Sequence, residues 1–201
     1  FKWGSSETLN KKLLFHVASK LKPILLSTGM CSVSDIAEAV EILEENQCSD
    51  ITILHCHSLY PTKFEDVNLN VMENLGSIFD KNYGLSDHSL GTSVPIAATA
   101  LGAVVIEKHI TLDRTDNGPD HFYSLEPKEF KFMVENIKNI RTALGSKVKT
   151  IFEDEKKYGR RNGIYAKRDI NKNDIILKKD LIIKRPAVSI AERFVDVVEG
   201  S

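Results

Sequence analysis

Cysteine is scarce here, and so is any excess of charge. The 201 residues include only three cysteines, Cys31, Cys48 and Cys56, odd in number and far apart. That excludes a disulfide framework, and the expected compartment is the reducing cytoplasm. Lys and Arg total 27 against 28 Asp and Glu, a net charge of -1. So even a balance leaves no basic footprint for nucleic acid and no polybasic segment for anionic lipid. No apolar run approaches the roughly 18 residues of a membrane helix, and no secretory leader is visible. What remains is the balance of an ordinary globular protein, 42% hydrophobic and 27% charged. The chain opens on FKWGSSE, which reads as the middle of a strand, and stops at VDVVEGS without a terminal element. A piece of a longer protein is expected.

Short apolar runs recur along the first two thirds: FKWG, ILLSTG (24–29), ITILHC (51–56), YGLS (83–86) and VVIEKHI (104–110). Continuous runs of this kind suit parallel strands buried on both faces. Helical patterns alternate with them. Leu13, Leu14, Val17 and Leu21 space as one face, and Val67, Val71, Leu75 and Ile78 as another. A capping box at Ser32–Asp35 precedes Ile36, Ala39, Val40 and Leu43. A short helix is expected from Val94 to Leu101. Pro127 opens a last one through Phe130, Met133, Val134, Ile137 and Ile140, which Gly145 ends. Five β-α units follow, and the sheet is parallel. Polar residues close every strand, which favours a (β/α)8 barrel, whose strand ends share one face, over an open sheet with a single switch point. Five strands leave two unpaired edges, so about three N-terminal units are expected to be missing. After Gly145 the charged stretch 146–160 reads as a linker, and residues 161–201 as the start of a small β-rich module.

Chemistry concentrates at the strand ends. HCHSLYP (55–61) looks like a metal cluster, but side chains alternate along a strand. His55 and His57 take one face, Cys56 and Ser58 the other, so the histidines are expected outward, in structural roles. His88 and His109 end neighbouring strands at matching depth, and two imidazoles so placed suit a divalent ion with open positions; either alone would more often be structural, and the pair as readily structural as ligating. Glu107 shares the face of His109. Lys108 between them could be the Schiff-base lysine of an aldolase, although the alternation sends it to the opposite face. Ser5, Ser27, Ser58 and Ser86, with Lys2, could hold a phosphate, or merely open loops and cap helices. Asp120, presented by the Gly118–Pro119 turn, could be an acid or a substrate ligand, or only a turn residue.

The segments LSTGM, HCHSLYP, GLSDHS, VIEKHITLDR, GPDHFYSLEP and IKRP occur here in this order. In this the chain resembles the sialic acid synthases over nearly its whole length. The resemblance implies a partial (β/α)8 TIM barrel, its last five β-α units in residues 1–145, a linker at 146–160, and the first part of an antifreeze-like (SAF) domain at 161–201. It implies condensation of phosphoenolpyruvate with an N-acylated hexosamine, N-acetylmannosamine or a bacterial analogue, to a nonulosonic acid with release of phosphate. The neuraminate, legionaminate and pseudaminate branches stay open. It further implies Mn2+ at His88 and His109, with Mg2+ and Co2+ as alternatives. The phosphoenolpyruvate pocket would comprise Lys2, Ser5, Ser27, Ser58 and Ser86, where some members have Asn in place of Ser58. Tyr60, Asp120 and Glu7 would contact the sugar, and Arg185 would reach the neighbouring subunit of a domain-swapped homodimer. Asp120 and Glu107 carry the catalytic assignments. The family's early strands supply a further glutamate and lysine that this chain does not contain, so the activity is expected of the intact parent rather than of these residues alone. The competing expectations are an aldolase using Lys108 and a non-catalytic sugar-binding protein.

Overall fold

In a computed structural model, residues 1–158 and 161–201 are described. They fall into two compact units, Phe1–Gly145 and Ser146–Ser201. The first unit is built on five parallel strands in sequence order: β1 (Lys2–Trp3), β2 (Ile24–Ser27), β3 (Ile51–Cys56), β4 (Asn82–Asp87) and β5 (Val105–Lys108). Helices α1 (Lys11–Ala18), α2 (Val33–Glu45), α3 (Asn70–Phe79), α4 (Ser93–Ala100) and α5 (Pro127–Leu144) follow the strands in turn.

Alternation along each strand divides the sheet into two faces. Trp3, Ile24, Leu26, Ile51 and Ile53 pack with Leu14, Ala18, Ile36, Ala39 and Leu43 of the first two helices. Leu85 joins Met72, Val94 and Ala98 in a second cluster. The intervening residues Lys2, Ser27, Cys56, Ser86 and Glu107 take the other face, and all five line one cavity. The sheet must therefore curl. Neighbouring strands sit about 4.8 Å apart, so the edges of a flat five-stranded sheet would be roughly 19 Å apart, farther than two side chains bridge. Yet Lys2 on one edge strand lies 3.3 Å from Glu107 on the other. The polar face is the concave one and the helices cover the convex one.

Local chemistry accounts for the elements. The Ser32 side chain accepts from Asp35 N, and Asp35 Oδ2 accepts from Ser32 N at 2.7 Å, a reciprocal cap that starts α2. Pro127 opens α5, and Gly145 ends it at φ 50°. Two helix faces differ from the sequence expectation. In α3 the buried residues are Met72, Leu75 and Gly76, while Ile78 is 50% exposed. In α1 they are Leu14 and Ala18, while Leu21 lies past the helix end and is 60% exposed. Gly76 explains the first case: a Cβ there would sit 2.3 Å from the Tyr83 ring, so helix and strand approach closely at a residue no apolar count can include.

His55 is the penultimate residue of β3, on the convex side. It is buried, and its Nε2 pairs with the Val67 carbonyl at 2.7 Å. Burial pulls its pKa down, against the pull of that carbonyl. A histidine held neutral in the fold stabilises it above the unfolded value of about 6.5, and that contribution is lost as pH falls below it. Urea unfolding at pH 7.5 and 5.5 is expected to show lower stability at 5.5, with a smaller difference in His55→Gln. Equal pH dependence in the variant would remove His55 as a source.

The second unit contains β6 (Gly163–Ala166) and β7 (Leu181–Lys184), paired antiparallel, with short helices α6 (Glu153–Tyr158) and α7 (Val195–Val198). Asp180 is buried and takes a two-pronged bond from Arg168, Nε to Oδ1 at 2.7 Å and Nη2 to Oδ2 at 3.1 Å. The stretch read as a linker holds α6, whose acidic first turn and basic last turn suit the helix dipole; its last two positions, 159 and 160, lie outside the described residues. Among the described residues, no helix is long and apolar enough to cross a membrane.

Candidate active site

The concave cavity has a volume of about 420 Å3 at the C-terminal ends of the strands. Nine of the residues singled out from sequence line it: Lys2, Ser5, Ser27, Ser58, Tyr60, Ser86, His88, Glu107 and His109. The floor is a chain of polar contacts. Ser86 Oγ donates to Glu107 Oε1 at 2.5 Å, and the Lys2 ammonium lies 3.3 Å from the same oxygen. Ser5 Oγ accepts from Gly29 N at 2.8 Å. Ser27 Oγ is buried and, among the described residues, has no hydrogen-bond partner. A buried hydroxyl without a partner costs about 1–3 kcal/mol.

The wall is aromatic. The His88 and His109 rings lie 5.2 Å apart between centroids, and Tyr60 tilts over His88 at 4.3 Å. His88 Nδ1 pairs with the His57 carbonyl at 2.8 Å. The carbonyl can only accept, so Nδ1 carries the proton and Nε2 keeps its lone pair. Burial holds the His88 pKa below the ordinary histidine range, and the ring is neutral near pH 7. His109 Nδ1 faces Tyr123 Oη at 3.3 Å and Asp120 Oδ2 at 3.7 Å. One nitrogen of each ring is thus occupied by its support, the usual arrangement behind metal-ligating imidazoles. The donor set fits a divalent first-row ion that keeps positions for water or substrate. Among the described residues, no third His, Cys, Asp or Glu joins them in a ligand group.

Asp120 stands beside the cavity rather than in its lining. It accepts from Tyr123 Oη at 2.7 Å. Glu7 does not line the cavity either; its carboxylate accepts from Asn10 Nδ2 at 2.8 Å. Arg185 belongs to the second unit, where its Nε donates to Asn162 Oδ1 at 2.9 Å. Lys108 is on the convex side, its side chain 1% exposed. Its ammonium donates to Asp87 Oδ2 at 2.7 Å and to the Ser89 carbonyl. A Schiff-base lysine must offer substrate a free amine; this one is enclosed and engaged.

The sequence assigns no role to Tyr123 or Gly29, and places Cys56 on the inward face without one. Tyr123, 1% exposed, supports both Asp120 and His109, and burial followed by the Asp120 bond raises its phenol pKa. Cys56 lines the cavity as a thiol whose pKa burial raises. Gly29 has no room for a side chain: a Cβ would stand 2.5 Å from Ser58 Oγ and 2.9 Å from Ser5 Oγ. The glycine in LSTGM was a usable signal for close approach; nothing local marks Tyr123.

A curled parallel α/β sheet that gathers its polar residues at the strand ends is the site architecture of barrel enzymes. Residues 1–149 match the NeuB family, and the chain belongs to that family of sialic acid synthases. It is 44% identical over 98% of its length to an uncharacterised protein of Methanocaldococcus jannaschii, covering 59% of that protein. It is 42% identical over 95% of its length to the N,N'-diacetyllegionaminic acid synthase of Campylobacter jejuni, covering 58% of it. The crystal structure of N-acetylneuraminic acid synthetase from Leptospira borgpetersenii superposes with a TM-score of 0.72 at 38% identity, over 78% of this chain and 55% of that one. The chain thus spans less than two thirds of the length of these relatives.

Proposed function

We propose that the whole protein joins C3 of phosphoenolpyruvate to the aldehyde carbon of an N-acylated hexosamine, while water adds at C2 and phosphate leaves. The product is a nonulosonic, sialic-type acid. One observation carries the reading: an ammonium, five serines, a carboxylate and two imidazoles line one cavity fed by five strands. Lys2 with Ser5, Ser27, Ser58 and Ser86 holds the phosphate and carboxylate of phosphoenolpyruvate through charge-assisted hydrogen bonds. Glu107 Oε1 is committed to Ser86 and Lys2, which leaves Oε2 to take a proton from the water that adds at C2. Tyr60 and Asp120 bind the sugar, with Asp120 aimed by Tyr123. Held in one cavity, the two reactants avoid most of the entropy cost of meeting.

His88 and His109 would hold the divalent ion, Mn2+ with Mg2+ and Co2+ as alternatives. When bound there, it supplies Lewis-acid polarisation of the sugar aldehyde. Glu7 and Arg185 add contacts to the sugar and its anionic partner, Arg185 from the other subunit of a domain-swapped homodimer. Residues 161–201 begin an SAF-type domain, and the site works in a cytoplasmic enzyme.

Gly29→Ala tests the phosphate pocket. The added methyl would push Ser58 and Ser5 apart. Calorimetric titration of the whole protein is expected to show phosphoenolpyruvate bound about 10-fold or more weakly, the loss of roughly one hydrogen bond to a charged group. An unchanged affinity would remove the serines from the pocket.

A further inference from the structure

We infer that the buried Asp87–Lys108 pair is a positioning device for the two histidines of the cavity. The inference rests on the reading that His88 and His109 hold the metal. Asp87 and Lys108 are each the residue before one of them, and they are direct partners in the β4–β5 ladder. Alternation turns the pair to the convex side and the histidines to the concave side. The pair therefore fixes the last rung of the ladder one step before the rings.

Its bonds reach further than one pair. Asp87 Oδ2 accepts from Lys108 Nζ at 2.7 Å, and Asp87 Oδ1 accepts from Ser89 N at 2.9 Å. The Lys108 ammonium also donates to the Ser89 carbonyl. Residues on both sides of His88 are so tied to the residue before His109. From the other flank, Thr62 N donates to the His88 carbonyl at 3.0 Å. Burying two charges stabilises a fold little more than an apolar pair of similar size would. What the charges add is direction: fixed hydrogen bonds allow one offset between the strand ends, where an apolar pair would allow several.

Mn2+ alone, titrated into the whole protein and followed by the spectrum of the free ion, is the probe. Thermal unfolding without metal is recorded alongside. The double variant Asp87→Leu/Lys108→Met keeps the volume apolar, so its metal-free melting is expected to stay near that of the parent. Its Mn2+ affinity is expected to fall about 10- to 100-fold, the usual effect of losing the support behind a ligand. Asp87→Asn, nearly isosteric, is expected to fall in the same direction and gives a second measurement should the double variant fail to fold. Folded variants that bind Mn2+ as the parent does would overturn the inference. A parent that binds no Mn2+ would overturn the ligand reading, and the inference with it.

Discussion

Asp87→Ala is expected to lower the unfolding free energy by about 3–5 kcal/mol, the cost of leaving one partner of a buried ion pair behind. The side chains of Asp87 and Lys108 are 2% and 1% exposed. Removing the carboxylate leaves an ammonium in a dry site with, among the described residues, the Ser89 carbonyl as its remaining hydrogen-bond partner. It also frees the Ser89 amide, which Asp87 Oδ1 now satisfies. Urea unfolding of the whole protein checks the value. A loss below about 1 kcal/mol, the range of an exposed pair, would mean that water reaches Lys108 and that the convex face is more open than described.

His88→Ala is expected to abolish the sugar-dependent reaction, by at least about 100-fold. Loss of a mere support to a metal ligand costs 10–100-fold, and on the proposed reading the ligand itself goes. The fold should tolerate the change, because the ring packs on Tyr60 at the cavity wall rather than in either apolar cluster. His55 supplies the contrast. It is the same residue type near the end of the adjacent strand, yet it faces the helices and bonds to Val67. His55→Gln is expected to change stability and its pH dependence while phosphate release continues. Rates measured at saturating substrates, with circular dichroism to verify folding, separate the two histidines. Equal activity loss in both variants would mean that position along the strand does not decide the role.

Much of this arrangement was legible in residue order. The apolar runs gave five strands, and the period of two sorted HCHSLYP and VIEKHI into faces. His55 at the Val67 carbonyl, Cys56 in the cavity, Glu107 inside and Lys108 outside all lie where alternation puts them. The curl came with the barrel reading, and the contact of Lys2 with Glu107 across opposite edges bears it out; its degree was not legible, because that depends on how five strands twist together. Helix faces failed where glycine or a helix end intervened, at Gly76 and at Leu21. Tyr123 was missed because its role depends on a loop that returns to the strand. Leu125 N donates to the His109 carbonyl at 3.0 Å and Thr111 N to the Leu125 carbonyl at 3.0 Å. These bonds bring the phenol beside His109, fourteen residues away. The charged stretch after Gly145 hid α6, since five charged residues and one tyrosine give no apolar period to read.

The most direct test is phosphate release by the whole protein, given phosphoenolpyruvate, Mn2+ and a panel of N-acylated hexosamines, with and without a chelator. The account predicts release that requires both phosphoenolpyruvate and one class of sugar, stops with chelator, and is lost in His88→Ala. Phosphate release with no sugar in the panel, or release indifferent to chelator and to His88, would contradict it.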